Sequence, residues 1–168
     1  EGYGSAGVEG AGSAAFGMPV GFVRLLQSVG FDLAASCLES FSDPSAPDHP
    51  LACAYNNFFS PPAGLKQKFN EARESGKLIS IEQLLTPARS ARPDNAQVIE
   101  SLRRRFLAVA FMTAAEVVEA GLIAPADVDT LCQTAFLWPE GPFALMNRVG
   151  IGASLELVTE KMELSHRQ

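Results

Sequence analysis

The chain has 168 residues, 47% of them apolar and 19% charged, and a net charge of −6. This is the balance of a globular protein with enough chain for one ample core or two small ones, and the acidic excess speaks against a nucleic-acid partner or an anionic membrane surface. Three widely spaced cysteines (Cys37, Cys53, Cys132), none in a C-x-x-C pair, indicate neither a disulfide framework nor a zinc site and fit a reducing, cytoplasmic setting.

In chain order, the first feature is Gly2-Tyr3-Gly4-Ser5-Ala6-Gly7, which spells G-x-G-x-x-G. As a phosphate-cradling turn this motif needs a buried strand before it and a helix N-terminus after it. Only Glu1 precedes it, and Val8 to Ala15 reads as too small and glycine-broken for a firm helix. A loop with positive φ angles is the expectation here. GFVRLLQSV (21–29) then spaces Phe22, Leu25, Leu26 and Val29 as a helix that stops at Gly30. Asp32 is placed to cap a second helix, LAASCLESF, before the proline-rich SDPSAPDHP. His49 sits in that loop and His166 near the C-terminus, both without a ligand partner at metal spacing.

Pro61-Pro62 opens a helix, AGLKQKFNEARES, which ends at Gly76. ISIEQLL reads as a short strand or helix, and TPARSARP as a linker. Asp94 and Gln97 resemble a capping box for an uninterrupted helix to Ala120, roughly 40 Å long at about 1.5 Å per residue. Its middle, FLAVAFMTAAEVV, is apolar on nearly every side and needs cover on more than one face, but Phe106 to Ala115 is too short to span a membrane. Gly121 ends it, Pro125 starts a short helix with Asp127 and Asp129 at its positive end, and PFALMNRV and ASLELVTEKMEL follow as two more.

An internal repeat organises these pieces. At an offset of 120, AFGMPVGFVRLLQSVG (15–30) aligns without a gap on AFLWPEGPFALMNRVG (135–150). Ala15/Ala135, Phe16/Phe136, Pro19/Pro139, Gly21/Gly141, Leu25/Leu145, Val29/Val149 and Gly30/Gly150 recur in register. Breakers and core positions shared at one offset indicate the same helical unit encoded twice. The opening glycines then fall at the start of a short helix rather than in a nucleotide turn. The expected division is a first copy at 1–85 lacking its long helix, a linker at 86–93 and a second copy at 94–168. The long helix of the first copy is expected before residue 1.

The run from Glu119 to Gly150, EAGLIAPADVDTLCQTAFLWPEGPFALMNRVG, resembles the signature of the helical C-terminal domain of 3-hydroxyacyl-CoA dehydrogenases, through its E-x-G and P-x-G-P-F…V-G elements. The resemblance implies an all-α chain, two tandem helical units like the C-terminal domain of 6-phosphogluconate dehydrogenase, with the first unit truncated. It also implies an upstream Rossmann domain that binds NAD and carries the catalytic histidine, glutamate and serine. The helical part would help enclose acyl-CoA and form a homodimer, as in long or multifunctional enzymes of fatty-acid β-oxidation. No catalytic, cofactor-binding or metal-binding residue is assigned in this chain, which is expected to be inactive alone.

The family's asparagine, in an N-R pair on the long helix, aligns with Arg104 of Arg104-Arg105, and a longer, always charged side chain cannot replace it. Met112-Thr113-Ala114 stands in place of N-E-A, and Gln27 and Asn147 replace the acid before V-G. Two other readings compete: an autonomous helical association module without an acyl-CoA role, and a CoA-binding domain that uses Arg103 and Arg104. Trp138, Phe136, Phe143, Met112 and Met146 are expected to pack rather than line an acyl pocket, and Asp127 and Asp129 to favour a helix N-terminus. The faces bearing Leu25, Val29, Leu33 and Leu38 require cover from the long helix or from a second chain.

Overall fold

The computed structural model describes residues 5–41, 96–166 and, between them, helical positions 64, 66, 67, 70, 71 and 74; the protein is all-α, with no strand among the described residues. ISIEQLL, the linker, Cys53, His49 and the Asp94 cap lie outside them. The helices are α1 (Ser5–Phe16), α2 (Phe22–Val29), α3 (Phe31–Phe41), α4 (Ala96–Glu119), α5 (Pro125–Ala135), α6 (Pro142–Val149) and α7 (Ile151–His166).

The centre is α4, whose 24 residues carry Leu102, Leu107, Ala108, Phe111, Met112 and Ala114 into the interior. It lies along α1 on one side and along α6 and α7 on another, which gives its apolar middle cover on more than one face. Phe111 and Leu107 are its largest fully buried side chains, and burial of each contributes about 1.5–3 kcal/mol.

Residues 5–16 form a helix, as the offset of 120 implies for the opening glycines, although composition alone argues for a loop. Glycine inside a helix costs about 0.5–1 kcal/mol relative to alanine, and tertiary contact offsets this cost. Gly7, Ala11 and Gly12 are buried, and α1 has its most extensive contact with α4. A Cβ on Gly12 would sit 2.7 Å from Cδ2 of Phe22, so this glycine serves close approach and not a positive φ. The second difference is at Asp32. Ala34 N donates to Gly30 O, so α3 begins at Phe31 and Asp32 is inside its first turn instead of before it.

The helices recur at the offset of 120. α1 and α5 start at Ser5 and Pro125, α2 and α6 run Phe22–Val29 and Pro142–Val149, and α3 and α7 start at Phe31 and Ile151. Gly30 and Gly150 close their helices at φ 90° and 97°, and Gly17 at φ 65° corresponds to Leu137 at φ 56°. Positions 18 and 138 meet each other, with Trp138 Nε1 donating to Met18 Sδ at 2.8 Å. Trp138 also stacks on Phe16, with ring centroids 4.0 Å apart and planes 12° from parallel. Positions 18 and 138, 120 residues apart, thus meet at this junction.

The long helix reaches both sets. Ala15, Phe16 and Met18 share one core with Leu107, Phe111, Val128 and Leu145, and the Phe22 ring lies 4.7 Å from that of Phe106. The cover does not extend to the outer faces of α2 and α3: Val29 and Leu33 are 48% and 57% exposed, and α2 contains no buried residue.

Candidate functional site

Three features of this frame bear on function. The first is a pair of carboxylates that hold helix N-termini. Asp129, on α5, accepts hydrogen bonds from the backbone N–H of Phe143 (2.8 Å) and Ala144 (3.0 Å) in the first turn of α6. Glu9, on α1, does the same for α2, accepting from Gly21 and Val23 at 2.9 Å each and from Arg24 at 3.4 Å. These N–H groups have no partner within their own helix, and a carboxylate also suits the positive end of the helix dipole. Asp129 therefore caps the following helix rather than its own, while Asp127 stays exposed in the first turn of α5. The approach is so close that a Cβ on Gly141 would overlap Cα of Asp129, and one on Gly21 the carbonyl of Glu9. The shared glycines at 21 and 141 and the acids at 9 and 129 were all visible in the repeat. Their mutual contact was not, because 12 residues of chain separate each acid from its glycine.

The second feature is a polar cleft between α4 and α7, a volume of about 370 Å³ lined by Gln97, Glu100, Ser101, Arg104, Glu160 and Lys161 among others. Arg104 Nη2 lies 2.7 Å from Glu160, and Arg103 makes a two-pronged contact with Glu100 at 2.7 and 2.8 Å. The hydrogen bond from Arg103 holds the Glu100 carboxyl below its ordinary range, and that same bond raises the Arg103 guanidinium. Both arginines proposed from sequence as CoA-phosphate ligands are thus bonded to carboxylates on the surface. No buried side-chain nitrogen or oxygen among the described residues lacks a hydrogen-bond partner, so none is left aimed at a ligand.

The third feature is an apolar groove of about 540 Å³ between α4 and α5, with Phe16 and Trp138 at its end. Phe106, Val109, Ala110, Thr113 and Val117 of α4 line one wall, and Val128, Leu131 and Cys132 of α5 the other. Burial raises the Cys132 thiol, and the Asp129 carboxylate adds to the rise, so Cys132 is a neutral, packed thiol rather than a nucleophile. Of the residues expected to pack, Trp138, Met112, Phe143 and Met146 belong to the core or pack on it, whereas Phe136 is 40% exposed in the groove.

Of the opening glycine motif, Gly2, Tyr3 and Gly4 lie outside the described residues. Ser5, Ala6 and Gly7 are the first turn of α1, Gly7 is buried, and no strand is present among the described residues. No group of three metal-ligating side chains occurs among them, and no helix is long and apolar enough to cross a membrane.

Residues 103–167 match the family described as 3-hydroxyacyl-CoA dehydrogenase, C-terminal domain. The matched segment runs from within α4 to the end of α7 and contains the capping Asp129, Gly141 and the polar cleft's Arg104 and Glu160. No curated protein and no solved structure matches the chain.

Proposed function

We propose, from the match of residues 103–167 to the family described as 3-hydroxyacyl-CoA dehydrogenase, C-terminal domain, that this chain is the helical region of an NAD-dependent 3-hydroxyacyl-CoA dehydrogenase of fatty-acid β-oxidation, working in the cytoplasm. In this reading it associates subunits and helps enclose acyl-CoA, and it performs no chemistry alone. The observation that carries the reading is the family match over α4 to α7, the part of the chain that builds the capped Pro139-Glu140-Gly141-Pro142-Phe143 junction. The NAD site and the catalytic groups belong in this reading to a Rossmann domain elsewhere in the protein, as the resemblance implies.

The proposal includes a tandem origin for residues 5–41 and 125–166. Support comes from coincident helix boundaries, the paired caps Glu9 and Asp129 and the glycines that end α2 and α6. The polar cleft is the place on this chain where an acyl-CoA would be met, with Arg104 in the position of the family's asparagine. There Arg104 bonds Glu160, and it contributes shape and charge to the wall instead of a neutral hydrogen bond.

A second reading, an association module that has lost any acyl-CoA role, is favoured by one observation: Arg103 and Arg104 are both engaged by carboxylates. The chain is to be assayed for NAD reduction with 3-hydroxybutyryl-CoA and followed by hydrogen exchange in the same mixture. No turnover, with slowed exchange along α4 and α7, is the expected result. Turnover by this chain alone would refute the division of labour. Exchange unchanged by the acyl-CoA would favour the association module.

A further inference from the structure

The surfaces that α4 covers on α1, α6 and α7 have open counterparts at the offset of 120. Under α4, Ala11, Ala15, Phe16, Leu145 and Leu157 are each at most 7% exposed. Their counterparts lie on α5, α2 and α3. There Leu131 and Phe136 are 50% and 40% exposed, Ala135 and Cys37 are exposed, and Leu25 is half-buried. Helix α6 buries Pro142 and Leu145, whereas α2 contains no buried residue. The two sets of seats are built alike, since α1 packs on α2 as α5 packs on α6, and α2 on α3 as α6 on α7. Each open position therefore corresponds to one that a long helix covers.

We propose that one helix of the same kind as α4 occupies all three open seats, and that it is the counterpart of α4 in the same polypeptide, joined to Ser5 as α4 is joined to Pro125. Three observations point to this occupant. The open positions lie on three elements and match those that α4 buries, so one rod of the length of α4, about 36 Å at about 1.5 Å per residue, closes them together. An acyl chain would fill the groove between α4 and α5 but leave Cys37 and Leu25 open. The groove is lined by no charged residue, and on its α4 wall Ala110 and Thr113 are small enough for a second helix to lie close. The occupant must accordingly be apolar on the faces it presents, as FLAVAFMTAAEVV is in α4. Finally, residues 120–124 carry the chain from α4 to α5, and a link of the same length carries the counterpart helix to α1. Tethered in this way, the helix meets its seats at high effective concentration.

This inference rests on the tandem origin in the proposed function and uses no part of its acyl-CoA role. The test compares the 168-residue chain with the same chain extended upstream in its own reading frame by the length of α4 and its link to α5. The extension is expected to add helix by circular dichroism and to slow amide exchange along α2, α3 and α5 about tenfold or more. Iodoacetamide labelling of Cys37, read by mass spectrometry, is expected to slow by about the same factor. Leu131→Glu is expected to lower the unfolding midpoint of the extended chain and to leave the 168-residue chain unchanged, because only the extended chain buries the charge. Ile151→Glu, at a position 63% exposed and outside the groove, is expected to leave both chains unchanged. A helical extension that leaves Cys37 and the α5 amides as they were would overturn the seat and leave the tandem origin standing. An extension that adds no helix would overturn both. Slower exchange in α5 with Cys37 unaffected would overturn the single helix and confine the occupant to the groove. Labelling of Cys37 in the 168-residue chain that slows with protein concentration would put a second copy on these seats and overturn the assignment to the same polypeptide.

Discussion

Asp129→Ala removes both charge-assisted acceptors from the first turn of α6. The N–H groups of Phe143 and Ala144, now bonded at 2.8 and 3.0 Å, would have to find water at a half-buried junction. Loss of a capping side chain costs about 0.5–2 kcal/mol, and loss of a carboxylate at a helix N-terminus about 0.3–1 kcal/mol, so a total of about 2 kcal/mol is expected. Asp129→Asn retains one acceptor oxygen without the charge and should cost about half as much. Asp127→Ala is the control, because that exposed acid touches no cap, and exposed changes of this kind stay within about 0.5 kcal/mol. Urea unfolding should report the loss as a lower midpoint at unchanged slope, and native-state hydrogen exchange should speed up at Phe143 and Ala144. Gly141→Ala attacks the same junction from the other side. Its Cβ would overlap the backbone of Asp129, which cannot swing away, and about 1–3 kcal/mol is the expected penalty. Equal stabilities for Asp129→Ala and Asp127→Ala would refute the capping argument.

Two further predictions address the junction and the groove. Leu137 holds φ 56° with a side chain 62% exposed, where the corresponding residue is Gly17. A left-handed conformation costs a non-glycine residue about 1–2 kcal/mol, and glycine loses about 0.5–1 kcal/mol through its freer unfolded chain, so Leu137→Gly should stabilise by about 0.5–1 kcal/mol. Thermal unfolding measures this, and a lower midpoint would show that the leucine contributes through contact. In a Cys37→Ser, Cys53→Ser background, iodoacetamide should label Cys132 on the order of tenfold more slowly in the native protein than in urea. Burial, with Asp129 second, raises its folded pKa. The stabilising preference for the neutral thiol is therefore complete below the unfolded thiol's pKa and lost as pH rises through the folded one. A stability that falls over that alkaline window in this background, but not when Cys132→Ala is added, is the expected result.

Particular residues show how far the chain could be read without coordinates. Gly30, Gly121 and Gly150 end their helices as expected, because a left-handed or extended glycine terminates a helix through local backbone geometry alone. The span of α4 was legible for a similar reason: 24 residues contain neither proline nor glycine, and their apolar density demands burial whatever the neighbours. The match of residues 103–167 to the dehydrogenase C-terminal family was legible in the spacing of Pro139, Gly141, Pro142 and Gly150.

Local reasoning failed at α1. Its glycines argue against a helix when only propensity is weighed, and the helix exists because α4 and Phe22 press against a surface that glycine and alanine keep flat. The caps Glu9 and Asp129, the ring stacking of Phe16 on Trp138 and the groove walled by α4 and α5 are likewise products of the tertiary arrangement. Each depends on groups distant along the chain, and no pattern within one helix records which surface will face it. Outside α1 and the start of α3, sequence by itself determined where helices run and stop, since those are short-range properties of the backbone. Which faces are covered and which stay bare was decided only when α4 settled on α1 and left α5 open, because one helix cannot shield both seats at once.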